Sequence, residues 1–128
     1  MTFFFDSNLS HHVPEVLRIV GYRGVLHVRD EFDGDPGDAA ILRHAAANGW
    51  VIVTADVRMR SDPATAAAFG DGAVTAVFVG GPVFRRRIRE QVIWFLRRWP
   101  DIETAVGAAS PGTVLEARWR RPLREIRP

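Results

Sequence analysis

Residues 1–10 read MTFFFDSNLS, three phenylalanines running straight into an aspartate, a serine and an asparagine. The stretch 2–6 is continuously apolar up to Asp6, the pattern of a strand in a parallel sheet covered on both faces. A carboxylate that closes such a strand is costly unless it is paired or holds a metal ion. Ser10 then reads as a helix N-cap, followed by an apolar stripe of Val13, Val16, Leu17 and Val20 that Gly21 and Gly24 end. The chain therefore opens as strand, turn and helix.

That alternation continues. VLHV (25–28) is a short second strand, and RDEFDGDPGD (29–38) is a turn-rich acidic loop. Pro36 suits the first turn of a second helix, whose inward face is Ile41, Leu42 and Ala45 and whose stop is Gly49. WVIVTAD (50–56) is the clearest strand of the chain. Residues 57–72 read as a loop with an alanine-rich helix at 63–69, and AVTAVFVGG (73–81) as a fourth strand. Phe84, Ile88, Val92, Phe95 and Trp99 line one face of an amphipathic helix that Pro100 stops. TVLEARW (113–119) alternates like a strand with one wet face, and from about residue 120 a partly ordered tail follows. Strands alternating with helices predict an α/β domain spanning 1–128 with a mostly parallel central sheet.

The composition, 47% hydrophobic and 25% charged over 128 residues, is that of a single folded domain with a real core. Without cysteine there is no disulfide framework and no thiolate metal site. No apolar run is long enough to cross a bilayer, and Asp6 interrupts the first one too early for a signal peptide. These features point to a cytoplasmic protein. All seventeen basic residues are arginine, which removes any mechanism that needs a lysine. Residues 1–71 carry ten acids against six arginines, and residues 72–128 five acids against eleven arginines. An acidic pole beside a basic one fits a metal site next to a polyanion-binding surface; a solvated helix face with an acidic partner fits it as well.

Three acids draw attention. Asp6 ends strand one, Asp56 follows strand three, and Asp38 heads helix two just before its inward stripe. In open parallel sheets, sites lie beyond the carboxyl ends of the strands, where all three would gather. Converging carboxylates with no lysine to pair them suit a hard divalent cation, Mg²⁺ or Mn²⁺. Each also has a plain structural use: Asp38 in a first helical turn, Asp56 as a cap, Asp6 in an Asx turn. Ser7, Asn8 and Thr54 would flank the site and position ligands or satisfy local backbone groups. Arg58 and Arg60 follow Asp56 and could grip a phosphate or offset the acids. Among the histidines, His11 and His12 lie nearest a substrate, while His27 sits in a strand and His44 on a helix without a partnered acid at ligand spacing. Arg85, Arg86, Arg87, Arg89, Arg97 and Arg98 form a basic face suited to an RNA backbone. Trp94, Trp99 and Trp119 are base-stacking candidates, with core or dimer-interface positions the better reading for Trp94 and Trp99.

Phe4-Phe5-Asp6-Ser7-Asn8, Leu26-His27-Val28-Arg29-Asp30, Asp38 before Ile41-Leu42, and Val53-Thr54-Ala55-Asp56 stand in an order and spacing that resemble the PIN-like domains. The similarity is to the compact PIN-like family of short bacterial proteins that includes toxins of the VapC type, and it covers residues 3–56. It implies a three-layer α/β/α fold and a Mg²⁺- or Mn²⁺-dependent ribonuclease, often the toxin of a toxin–antitoxin pair with a cognate antitoxin. It maps the family's acids onto Asp6, Asp38 and Asp56, with Asp62 the nearest match by order to a fourth and Asp30 the second. A homodimer would suit the arginine-aromatic helix, which has more apolar surface than one domain covers. Two other classes share the sheet. A phospho-accepting receiver domain needs a lysine that this chain lacks, and a catalytically silent RNA- or partner-binding module would keep the acids as structural groups.

Overall fold

A computed structural model of the chain describes residues 1–70, 72–80, 83–120 and 122–126, the side chains at positions 64, 70 and 84 excepted. The first strand, β1 (Phe3–Phe5), is buried along its whole length. Successive strand side chains point to opposite faces of a sheet. Phe3 and Phe5 meet the Trp99 ring at centroid distances of 4.7 and 5.6 Å. Phe4 belongs to the core on the other side, with Ile41, Leu42 and Ala45. A run of three large apolar residues is thus what a strand needs when helices cover both its faces.

The remaining elements are α1 (His12–Ile19), β2 (Val25–His27), α2 (Val28–Glu31), α3 (Asp38–Asn48), β3 (Val51–Thr54), α4 (Arg58–Ser61) and α5 (Pro63–Gly70). After these come β4 (Ala76–Val79), a 3-10 turn at Val83–Arg85, α6 (Ile88–Ala108), β5 (Val114–Ala117) and β6 (Arg124–Ile126). The six strands form one sheet in the order β2-β1-β3-β4-β5-β6. β1 to β5 are parallel, and β6 is antiparallel to β5. Val13 and Leu17 of α1 share one core with Trp94, Phe95, Trp99, Ile102 and Val106 of α6. Ile41, Leu42 and Ala45 of α3, Met59 of α4 and Phe69 of α5 form the core on the opposite face. The architecture is the predicted three-layer α/β/α sandwich. From β1 the chain steps to β2 on one side and returns to β3 on the other, so the order reverses between β1 and β3.

Several boundaries differ from the sequence reading. The acidic loop begins with a helical turn, α2, closed by a reciprocal cap: the Arg29 N–H donates to His27 Nδ1 and the His27 N–H to Asp30 Oδ2. The second helix starts at Asp38 rather than near Pro36, and it stops where expected, at Gly49 in the left-handed region with φ 67°. Residues 57–72 hold two helices, α4 and α5, rather than one. Pro100 does not stop the long helix; α6 runs through it to Ala108. Trp99 and Ile102, both fully buried, seat the helix on either side of the proline, and this packing outweighs one lost backbone bond. Ile88 is 52% exposed, and Gln91 and Trp94 take inward positions instead. The Phe84 side chain, Gly81 and Arg121 lie outside the described residues. The tail after residue 120 contributes β6, paired with β5. Among the described residues, no helix is long and apolar enough to cross a membrane.

Candidate functional site

Asp6 leaves the end of β1 with its N–H still donating to the Val53 carbonyl of β3, 2.9 Å away, so its position is fixed by the ladder. It is only 2% exposed. Its charge is met by donors on both oxygens. Oδ1 accepts from the Ser7 N–H at 2.7 Å, and Oδ2 accepts from the Thr54 hydroxyl at 2.7 Å, with Asn8 Nδ2 at 3.4 Å. The next strand end is tied to the same point. Asn8 Nδ2 donates to Thr54 Oγ1 at 3.3 Å, and Asn8 Oδ1 accepts from the Ala55 N–H at 3.1 Å. Thr54 Oγ1 also accepts from the Asp56 N–H at 3.0 Å. One threonine thereby orients the Asp6 carboxylate and holds the backbone of Asp56. Thr54 is itself fully buried and supports the site from behind, the second of the two roles the sequence allowed.

Beyond these strand ends opens a cleft of about 830 Å³ whose lining includes Asp6, Asn8, Asp35, Asp38, Asp56, Arg58 and Arg85. Asp6, Asp38 and Asp56 are therefore brought together, at the edge where the strand order reverses. Asp38 is the first residue of α3, preceded by Gly37 at φ 83°. Burial raises the Asp38 carboxyl above its ordinary pKa, and the charges of Asp6, Asp56 and Asp35 raise it further. Among the described residues, no hydrogen bond or ion pair reaches the Asp38 carboxylate. Asp56 is differently placed. Its Oδ1 accepts from the Arg58 N–H at 3.0 Å and from Arg58 Nε at 3.2 Å. The Arg58 side chain is 85% exposed, so this ion pair is a weak, solvent-screened one and leaves Oδ2 to the cleft.

The other residues proposed from the sequence fall elsewhere. Arg60 lies with its guanidinium 5.5 Å from the Phe78 ring centroid and is not among the cleft-lining residues. Asp62 closes α4 and does not line the cleft either. Asp30 is occupied by the α2 cap and by Arg18 at 3.9 Å. The acid that joins the other three is Asp35, whose Oδ1 accepts from the Gly37 N–H at 2.9 Å. Asp35-Pro36-Gly37 is a turn signature, the one local signal that could have singled it out of the acidic loop. Arg85, in the turn after β4, also reaches the cleft from a segment with no motif.

His27 is a structural group: Nε2 meets the Leu9 carbonyl at 2.8 Å while Nδ1 accepts from the Arg29 N–H, and burial lowers its pKa. His44 stands against the rings of Phe4, Phe32 and Trp50. Trp99 is core, and Trp94 stacks on Trp119 with its indole N–H donated to the Trp119 carbonyl at 2.9 Å. Part of the basic face is likewise committed to the fold, with Arg86 over the Trp119 ring and Arg98 over the Trp94 ring.

No curated protein and no solved structure gives a significant match to this chain. The family model described as "PIN like domain" matches residues 1–81, which hold β1 to β4 and every cleft acid described above. The match covers well over half of the chain, and the protein belongs to the PIN-like domain family.

Proposed function

We propose that this protein is a Mg²⁺- or Mn²⁺-dependent endoribonuclease, cytoplasmic, and the toxin of a VapC-type toxin–antitoxin pair. PIN-like domains are commonly nucleases, which supports the general activity. The observation that carries the reading is Asp38: an unpartnered carboxylate facing three others across one cleft, with its charge opposed by all of them. Hard oxygen donors lining one open cleft suit a divalent cation of this kind, which would draw together carboxylates that do not yet lie within 4.8 Å of one another. Asp6, Asp38 and Asp56 would hold it, with Asp35 at the rim. Bound there, the ion supplies a lowered water pKa and stabilises charge on a phosphate.

The chain's own contribution is orientation. Ser7, Asn8 and Thr54 fix the Asp6 carboxylate before any ligand arrives, so no reorganisation is needed when charge develops. Arg58 and Arg85 flank the opening and suit two-pronged contact with phosphate oxygens. Arg87, Arg89 and Arg97, all exposed, extend a positive surface along α6 for the rest of an RNA strand. The reading also carries two partners: a cognate antitoxin, and a second copy of the chain against α6, where Ile88 and Ile93 are exposed.

A second reading, a catalytically silent module, is favoured by one contact: Arg58 already serves as an internal counter-charge to Asp56. Incubating an end-labelled RNA with the protein separates the two. Cleavage with Mn²⁺ or Mg²⁺, absent in EDTA and absent in Asp6→Asn, is the outcome for a nuclease. Undiminished cutting by Asp6→Asn rejects the assignment.

A further inference from the structure

We propose that His11, His12 and Glu15, at the start of α1, form a second metal site, distinct from the carboxylate cleft and suited to a transition-metal ion such as Zn²⁺, Ni²⁺ or Co²⁺. One ligand atom from each of these side chains lies within 4.8 Å of the other two. His12 Nδ1 is 3.6 Å from Glu15 Oε2. Glu15 follows His12 by three residues and His11 by four, the spacings that put side chains on one face of a helix. The two imidazoles are turned to the same side, with ring centroids 4.0 Å apart.

These rings are available. Among the described residues the His11 ring makes no hydrogen bond, and Glu15 is the one hydrogen-bonding or ionic partner of the His12 ring. The contrast is His27, 6.2 Å from His11 between centroids, whose two nitrogens are both spent on the backbone. Two imidazoles and a carboxylate with open positions beyond them make the donor set of a three-ligand zinc site, with bonds of about 2.0–2.2 Å that imply ligand atoms about 3.3 Å apart. The observed separations, 3.6 Å between His12 and Glu15 and at most 4.8 Å within the set, lie close enough for these solvent-accessible side chains to close on an ion. The positive end of the α1 dipole opposes a cation here, and the Glu15 charge in the first turn offsets it.

Donor chemistry separates the two sites. The cleft offers only oxygens and favours Mg²⁺ or Mn²⁺, whereas imidazole nitrogen selects the later first-row ions. They are close in sequence: Ser7 and Asn8, which line the carboxylate cleft, also line the neighbouring cleft that His11 borders. An ion held by His11 and His12 would pin the segment that leads from Asp6 into α1. The proposal is independent of any nuclease activity.

The test uses the untagged full chain with excess Mg²⁺ present to fill the carboxylate cleft. Co²⁺ is titrated by its visible absorption, and Zn²⁺ by displacement of that signal. The expected result is one saturable Co²⁺ band in the unsubstituted protein and in Asp6→Asn/Asp38→Asn, with affinity at least ten-fold lower in His11→Gln/His12→Gln. The single variant His12→Gln, at a half-exposed side chain, guards against loss of fold, which far-ultraviolet circular dichroism monitors. Equal Co²⁺ affinity in the histidine variants, no band in the unsubstituted protein, or loss of the band in the aspartate variant would each overturn the proposal.

Discussion

At the scale of single residues, the cleft combines a carboxylate that the fold satisfies with one that it does not. Asp6 has donors on both oxygens, whereas Asp38 has no hydrogen-bond donor, and the like charges of Asp6, Asp56 and Asp35 outweigh the opposing charge of Arg58. A raised carboxyl pKa means that the folded state binds a proton more tightly than the unfolded chain does. Below its ordinary pKa Asp38 costs nothing; as pH rises through the raised folded value, stability is lost. Asp38→Asn should therefore melt a few degrees higher than the unsubstituted protein at neutral pH in EDTA, and lose that part of the pH dependence. Saturating Mn²⁺ should reverse the order, because only the charged side chain gains from the ion. Thermal unfolding of the two proteins in both buffers checks this. Thr54→Val tests the supporting residue. It leaves Asp6 Oδ2 without its best donor, and we expect activity to fall by about 10- to 100-fold, as for other groups that orient a metal ligand. The same change should cost about 1–3 kcal/mol in denaturant titration. Asp6, Asp38 and Asp56 were legible in the sequence because each adjoins a periodic element whose end it marks. Asp35 was not, and Arg85 was legible only as part of a basic face, not as a cleft residue. The loop from residue 29 to 38 holds five acids, and which of them turns toward the cleft depends on the Asp35–Gly37 turn, a matter of backbone path.

Among the elements, the strands were readable wherever burial on both faces forces an unbroken apolar run, as in β1, β3 and β4. Readings failed where tertiary packing overrode a local signal. Pro100 is a strong stop by itself, yet α6 carries Trp99 and Ile102 into the core on either side of it. Pro100 has no N–H to offer the Leu96 carbonyl. Pro100→Ala restores that donor, and we expect a gain of about 2 kcal/mol, the ~3 kcal/mol of a helix-interior proline less the ~1 kcal/mol by which proline restricts the unfolded chain. The urea midpoint is the measurement; no shift, or a downward one, would mean that the helix is already relaxed around the proline. β6 escaped notice for a different reason. Arg124, Glu125 and Ile126 have no alternation long enough to register, and the strand forms because β5 offers it an edge.

For the molecule as a whole, the imbalance between an acidic first half and an arginine-rich second half is explained in part by the fold. The acids that matter converge where β1 and β3 diverge in topology, and the arginines of the second half enter mainly through the turn after β4 and along α6. Sequence order could suggest this, since alternating strands and helices leave few right-handed parallel arrangements. It could not say how many of those arginines the protein keeps for itself, such as Arg86 over Trp119. The central claim is that Asp6, Asp38 and Asp56 together hold one divalent cation. A crystal grown in saturating Mn²⁺, with data collected at the manganese edge, tests it most directly. An anomalous peak is expected in the cleft about 2.1 Å from carboxylate oxygens of all three residues. An empty cleft at full Mn²⁺, with Asp56 still held by Arg58, would contradict it.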